Sequence, residues 1–144
     1  GTKKMSKSGE SDMERINMLD DAATISKKFK KARTDPEALP SEMAGLAERP
    51  EAKNLVDIYA ALAETSGEAV LGEFGGEGWG KFKPALAELA AEKLGPISAE
   101  MKRLMDAPGE LDAILSKGAE RAEAIADPIL ERTFEIMGFV RGRR

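Results

Sequence analysis

Apolar residues recur along this chain at the spacing of a helix, and no stretch alternates as a half-buried strand would. Ala22, Ile25, Phe29 and Ala32 follow at intervals of three, four and three behind Asp20-Asp21, either of which can cap a helix. Asp35-Pro36 and Pro40 break the chain, and a short helical turn is predicted around 42–47. Pro50 suits a helix start, and Leu55, Ile58, Tyr59 and Leu62 continue on one face. A shorter helix is predicted around 68–73, then a turn at Gly75-Gly76-Glu77-Gly78-Trp79-Gly80. A long helix follows from Lys81, with Leu86, Leu89, Ala90, Leu94, Ile97, Met101, Leu104 and Met105 in period and a kink predicted at Gly95-Pro96. Ala107-Pro108-Gly109 ends it. Leu111, Ile114 and Leu115 open the last pattern, and Ala119, Ala122, Ile125, Ile129, Phe134, Met137 and Val140 carry it on, with a kink predicted at Pro128. The expected fold class is all-α: a helical bundle of about five helices, preceded by a flexible loop over residues 1–18.

Composition supports helices, because Ala, Leu and Glu abound and lose little rotamer freedom in them. With 144 residues the chain can bury about 70% of the surface its unfolded form exposes. It has neither cysteine nor histidine, which excludes disulfides, thiolate sites and a Ser/His/Asp triad, and no metal site is expected. No apolar run approaches 18 residues, so no membrane contact is expected. The absence of cysteine fits a cytoplasmic location. The net charge of −4 is uneven: residues 1–33 hold nine Lys/Arg against five Asp/Glu, and the remaining 13 basic residues face 21 acidic ones. A locally basic region of this kind can meet a polyanion even in an acidic chain.

The sharpest local signal is Lys4-Met5-Ser6-Lys7-Ser8. It matches at all five positions the KMSKS signature of class I aminoacyl-tRNA synthetases. Formation of an aminoacyl adenylate moves charge from the α-phosphate onto departing pyrophosphate, and needs cations where that charge develops. Two lysines three residues apart can reach different phosphates, serine hydroxyls can donate to phosphate oxygens, and small residues allow a loop to close and reopen. Taken alone, five such residues also arise in a Lys/Ser-rich tail that binds nothing.

The sequence beyond the motif resembles the tryptophanyl-tRNA synthetases. Ile16-Asn17-Met18-Leu19-Asp20-Asp21 and the run from Ile25 to Asp35 are similar to the helix that follows their ATP loop. Asn54-Leu55-Val56-Asp57-Ile58, Gly80-Lys81-Phe82-Lys83, Gly118-Ala119-Glu120-Arg121-Ala122 and Gly138-Phe139-Val140 resemble later family segments in order. The tyrosyl enzymes share the loop but fit the later pattern less well. The resemblance implies an ATP site at Lys4, Met5, Ser6, Lys7 and Ser8, with Lys7 and Lys4 catalytic, and Mg2+ accompanying ATP in the intact enzyme. It implies tRNA(Trp), ATP and tryptophan as partners, a homodimeric intact enzyme, and a helical tRNA-facing domain over residues 19–144. Because the sequence opens on the motif, we expect a longer parent. The piece alone is expected to be monomeric, inactive and free of bound ATP. The rival expectations are a freestanding helical RNA-binding module, a tyrosine–tRNA ligase fragment, and a helical protein-interaction module, which leaves the motif unexplained.

Other features have plainer explanations. Lys27, Lys28, Lys30, Lys31 and Arg33 either meet tRNA phosphates or solvate a helix face around an inward Phe29. Trp79 either stacks on an RNA base or packs at a helix start, and Tyr59 suits the core. The glycine run lacks the Lys-Ser/Thr of a phosphate loop and reads as a hinge. Asp20-Asp21 read as caps rather than metal ligands.

Overall fold

The computed structural model of the chain describes residue 9 and residues 11–140, among which there is no β-strand. Five helices follow one another: α1 (Ala22–Lys31), α2 (Pro50–Leu62), α3 (Gly67–Phe74), α4 (Trp79–Met105) and α5 (Pro108–Met137). Short 3-10 turns lie at Asp12–Glu14 and Met43–Leu46. The chain divides into two compact units, Gly1–Lys102 and Arg103–Arg144.

Local chemistry explains where the helices of the first unit begin. The Asp21 carboxylate accepts from the Thr24 backbone N–H at 2.8 Å, so Asp21 rather than Asp20 caps α1. Pro50 opens α2, where its missing N–H costs nothing. Ser66 caps α3 by accepting from the Ala69 N–H at 3.2 Å. Gly75 ends α3 because a Cβ there would lie 2.5 Å from the Leu71 carbonyl oxygen and 2.9 Å from Ser41 Cα.

The core of this unit gathers Ile25 and Phe29 of α1, Ala52, Leu55, Val56 and Ala60 of α2, Val70, Leu71 and Phe74 of α3, and Phe82, Leu86, Ala87 and Ala90 of α4. Leu39 and Leu46, from the segments between α1 and α2, complete it. Phe82 is its centre: fully buried, it packs on Tyr59, Phe74 and Trp79 at ring-centroid distances of 5.7, 5.2 and 5.9 Å. Tyr59 and Phe74 also meet edge to face at 5.3 Å. α4 starts two residues ahead of the expected Lys81, because Trp79 already belongs to this aromatic cluster. Lys83 Nζ donates to the Ala32 carbonyl at 2.6 Å, placing a cation at the C-terminal end of α1, where the helix dipole favours it. Burial holds the Lys83 ammonium below its ordinary pKa.

The loop between α1 and α2 is fixed by Arg49. Its guanidinium donates to the Asp35 carboxylate and to the carbonyls of Glu37 and Ala38. Leu39 N–H donates to the Glu77 carbonyl at 3.0 Å, and Gly76 N–H donates back to the Leu39 carbonyl at 2.7 Å. The expected glycine hinge is thus a pinned turn. Gly76 supplies its left-handed residue, at φ +79°.

In the second unit, Pro108 opens α5, and Gly109, expected to end the preceding helix, lies inside it. Gly138 at φ +72° closes α5 in a Schellman arrangement: Phe139 N–H donates to the Phe134 carbonyl at 2.9 Å, and the two rings meet edge to face. None of the described α5 residues is buried; Ile114, Leu115, Ile125 and Ile129 of the expected stripe are exposed.

Candidate functional site

Lys4, Met5, Ser6, Lys7 and Ser8 lie outside the described residues. On their C-terminal side, within the loop expected up to residue 18, side chains bond the chain to itself and to α1. Gly9 and Ser11–Asp20 are laced together by side chains whose types, Ser, Asp, Asn and Arg, bond readily to nearby backbone. Ser11 caps the 3-10 turn, accepting from Met13 N–H at 3.2 Å. Arg15 Nη1 donates to the Gly9 carbonyl at 3.1 Å and the Ser11 carbonyl at 3.4 Å. Its other terminal nitrogen lies 3.5 Å from Asp12 Oδ1.

At the centre of this segment sits Lys28 of α1, its side chain 3% exposed. The sequence placed Lys28 among outward cations, which the structure corrects. Lys28 follows Ile25 by three residues and therefore shares its buried face. That spacing is the signal that identifies it. Lys28 Nζ meets Asp20 Oδ2 at 2.6 Å and Asp12 Oδ2 at 2.8 Å. Asn17 binds the same carboxylates, through its side-chain amide to Asp12 Oδ1 at 2.7 Å and its backbone N–H to Asp20 Oδ2 at 2.8 Å. A buried ammonium without partners would cost several kcal/mol on the order-of-magnitude scale for desolvated ions; here two carboxylates answer it.

The electrostatics accord with this geometry. The Lys28 hydrogen bond, helped by Asn17, holds the Asp12 carboxyl below its ordinary pKa. Burial pushes Asp20 up, but the bonds from Lys28 and Asn17 outweigh it and leave its carboxyl lowered. Burial likewise pushes Lys28 down, and the two aspartates overcome that and raise it. All three groups are therefore charged at neutral pH. The signal missed in the sequence is Asp12, which carried no pattern of its own.

Lys27, Lys30, Lys31 and Arg33 are exposed, and the first three line an open depression with Ala23 and Ser26. Trp79 is turned inward onto Phe82, with its indole nitrogen buried and no acceptor for it among the described residues. Tyr59 is packed in the aromatic cluster, where burial raises its hydroxyl pKa. No group of three or more acidic side chains among the described residues is placed to hold a metal ion. None of their helices is long and apolar enough to cross a membrane.

Comparison with known proteins accounts for the motif and the helices together. Residues 1–95 match the family model of class I tRNA synthetases of the W and Y type, and this chain belongs to that family. Within it, the similarity runs to the tryptophan branch. The chain is 57% identical over 141 residues to the tryptophan–tRNA ligase of Agrobacterium fabrum, covering 98% of this chain and 40% of that protein. It is 59% identical over 140 residues to the Rhizobium meliloti tryptophan–tRNA ligase, covering 97% of this chain and again 40% of that protein. The Caulobacter vibrioides tryptophan–tRNA ligase is 52% identical over 139 residues, covering 96% of this chain and 40% of the relative. The chain thus spans about two-fifths of the length of the curated relatives it matches.

Proposed function

We propose that this chain acts as the KMSKS-bearing helical part of a tryptophan–tRNA ligase, an enzyme that activates tryptophan with ATP and transfers it to tRNA(Trp). The observation that carries the reading is the alignment of 96–98% of the chain with enzymes of that name at 52–59% identity. In this reading Lys7 is the main cation on the departing pyrophosphate and Lys4 assists. Ser6, Ser8 and the Met5 backbone complete the ATP contact, and Mg2+ arrives with the nucleotide. The tryptophan pocket and the rest of the ATP site belong to the portion of the ligase outside this chain, so the chain alone supplies one side of the reaction. The helices from α1 onward face the tRNA. Lys27, Lys30 and Lys31, which line the open depression on α1, are suited to its phosphates through salt-dependent contacts. The working enzyme is a cytoplasmic homodimer.

Tryptophan-dependent ATP–pyrophosphate exchange tests this. In the full-length ligase, Lys7→Ala lowers the adenylation rate about 10²-fold, the scale of losing one preorganised electrostatic group. Unchanged turnover in the variant removes the ATP-loop assignment. The isolated chain shows no exchange. If it instead binds tRNA tightly by itself, with a steep salt dependence, the freestanding RNA-binding reading takes over.

A further inference from the structure

We infer that Lys28 is a positioning residue for the adenylation reaction: through Asp12 and Arg15 it fixes the chain as it leaves the Lys4–Ser8 motif. The inference rests on the ATP-loop reading above. A connected series of contacts carries it. Lys28 is set in the body of α1 between two core residues, Ile25 and Phe29, and its side chain is 3% exposed. That ammonium holds Asp12 at 2.8 Å; Arg15 lies 3.5 Å from the other Asp12 oxygen; and Arg15 donates to the Gly9 carbonyl at 3.1 Å. Gly9 is two residues from Lys7, and a chain extends at most about 3.6 Å per residue. A constraint on Gly9 is therefore a constraint only two residues from Lys7 in sequence.

The charges explain why such an anchor is worth building. A lysine acting on developing negative charge must arrive at one place in the transition state. Every conformation removed beforehand lowers the entropic cost of that arrival. The Asp12 side chain is 58% exposed, whereas Asp20, the other partner of Lys28, is 10% exposed. Asp20 is the closer and more deeply buried carboxylate. Asp12 reaches the same ammonium and, through its other oxygen, connects it to Arg15 and so to Gly9.

The test is a double-mutant cycle in the full-length ligase, read by tryptophan-dependent ATP–pyrophosphate exchange. Asp12→Asn lowers kcat about 10-fold and leaves KM for tryptophan within about twofold, because the contact matters in the transition state rather than in substrate binding. Added to Lys7→Ala, the same Asp12→Asn change costs less than about twofold, since the group it positions is gone. Lys28→Met follows the same pattern, and Lys28→Arg retains part of the lost kcat. An equal loss in both Lys7 backgrounds marks Asp12 as a stabilising residue only and overturns the proposal, as does no loss in the unmodified background. If Lys7→Ala itself lowers exchange while Asp12→Asn does not, the positioning role falls and the ATP-loop reading stands. If Lys7→Ala has no effect, the two fall together.

Discussion

Lys28 and Arg49 show how single cations do structural work in an acidic chain. Each is nearly covered, each meets carboxylates from a segment with little regular structure, and each fixes that segment to the helices. The hydrogen bond from Arg49 holds the Asp35 carboxyl below its ordinary pKa, and Lys28 does the same to Asp12. A carboxyl whose folded pKa is depressed contributes stability above its unfolded value, about 3.9 for aspartate, and loses that contribution as pH falls through the folded value. Lys28 and Arg49 have folded pKa values raised above their unfolded ones. Their contribution is complete below the unfolded values and is lost only at strongly alkaline pH. Thermal melting should therefore be nearly flat from about pH 6 to 8 as far as these groups are concerned, and fall in acid. Asp35→Asn supplies the check: its melting temperature lies below that of the unmodified chain at about pH 7, and the gap narrows at about pH 3. A gap of constant size across that range would show that the Arg49–Asp35 charge pair has no part in stability.

At the scale of elements, the helices were legible because apolar period, caps and prolines agreed. The Asp21 cap, the Pro50 start and the α3 segment fall within a residue or two of where the pattern put them. The polar segment ahead of α1 was not legible, since its order comes from Asp12, Arg15 and Asn17 meeting one another and a lysine well along the chain rather than from any period. The burial of Leu39 was hidden for a similar reason: it sits between two prolines and is held by backbone bonds to the distant glycine turn at Gly76 and Glu77. The motif itself is plain in sequence and outside the described residues. Glycines give the element-scale prediction. A Cβ on Gly72, within α3, would meet nothing within 4 Å, whereas one on Gly75 would strike backbone atoms. Gly72→Ala should stabilise the chain by about 0.5–1 kcal/mol, because alanine loses less freedom in a helix. Gly75→Ala should destabilise it. Urea midpoints of the two variants shifting in the same direction would contradict this contrast.

The two units differ in what holds them together, and that difference governs how the whole molecule unfolds. Among the described residues, all fifteen buried apolar side chains belong to the unit Gly1–Lys102. The unit Arg103–Arg144 consists mainly of α5, a 30-residue helix that buries none of its described residues. Within its own unit such a helix draws its stability from propensity, its Pro108 start and its Gly138 cap, and an isolated helix is marginal in water. Trp79, the single tryptophan, sits in the aromatic cluster of the first unit and reports on that core alone. Far-ultraviolet circular dichroism reports on both units. In urea the helical signal should begin to fall before the tryptophan emission shifts, since every ring of the Phe82 cluster lies in the first unit. Separate transitions of this kind are the mark of a chain that is not two-state. Coincident transitions by the two probes would mean that α5 shares the cooperativity of the core, and would refute the view that its stability is local.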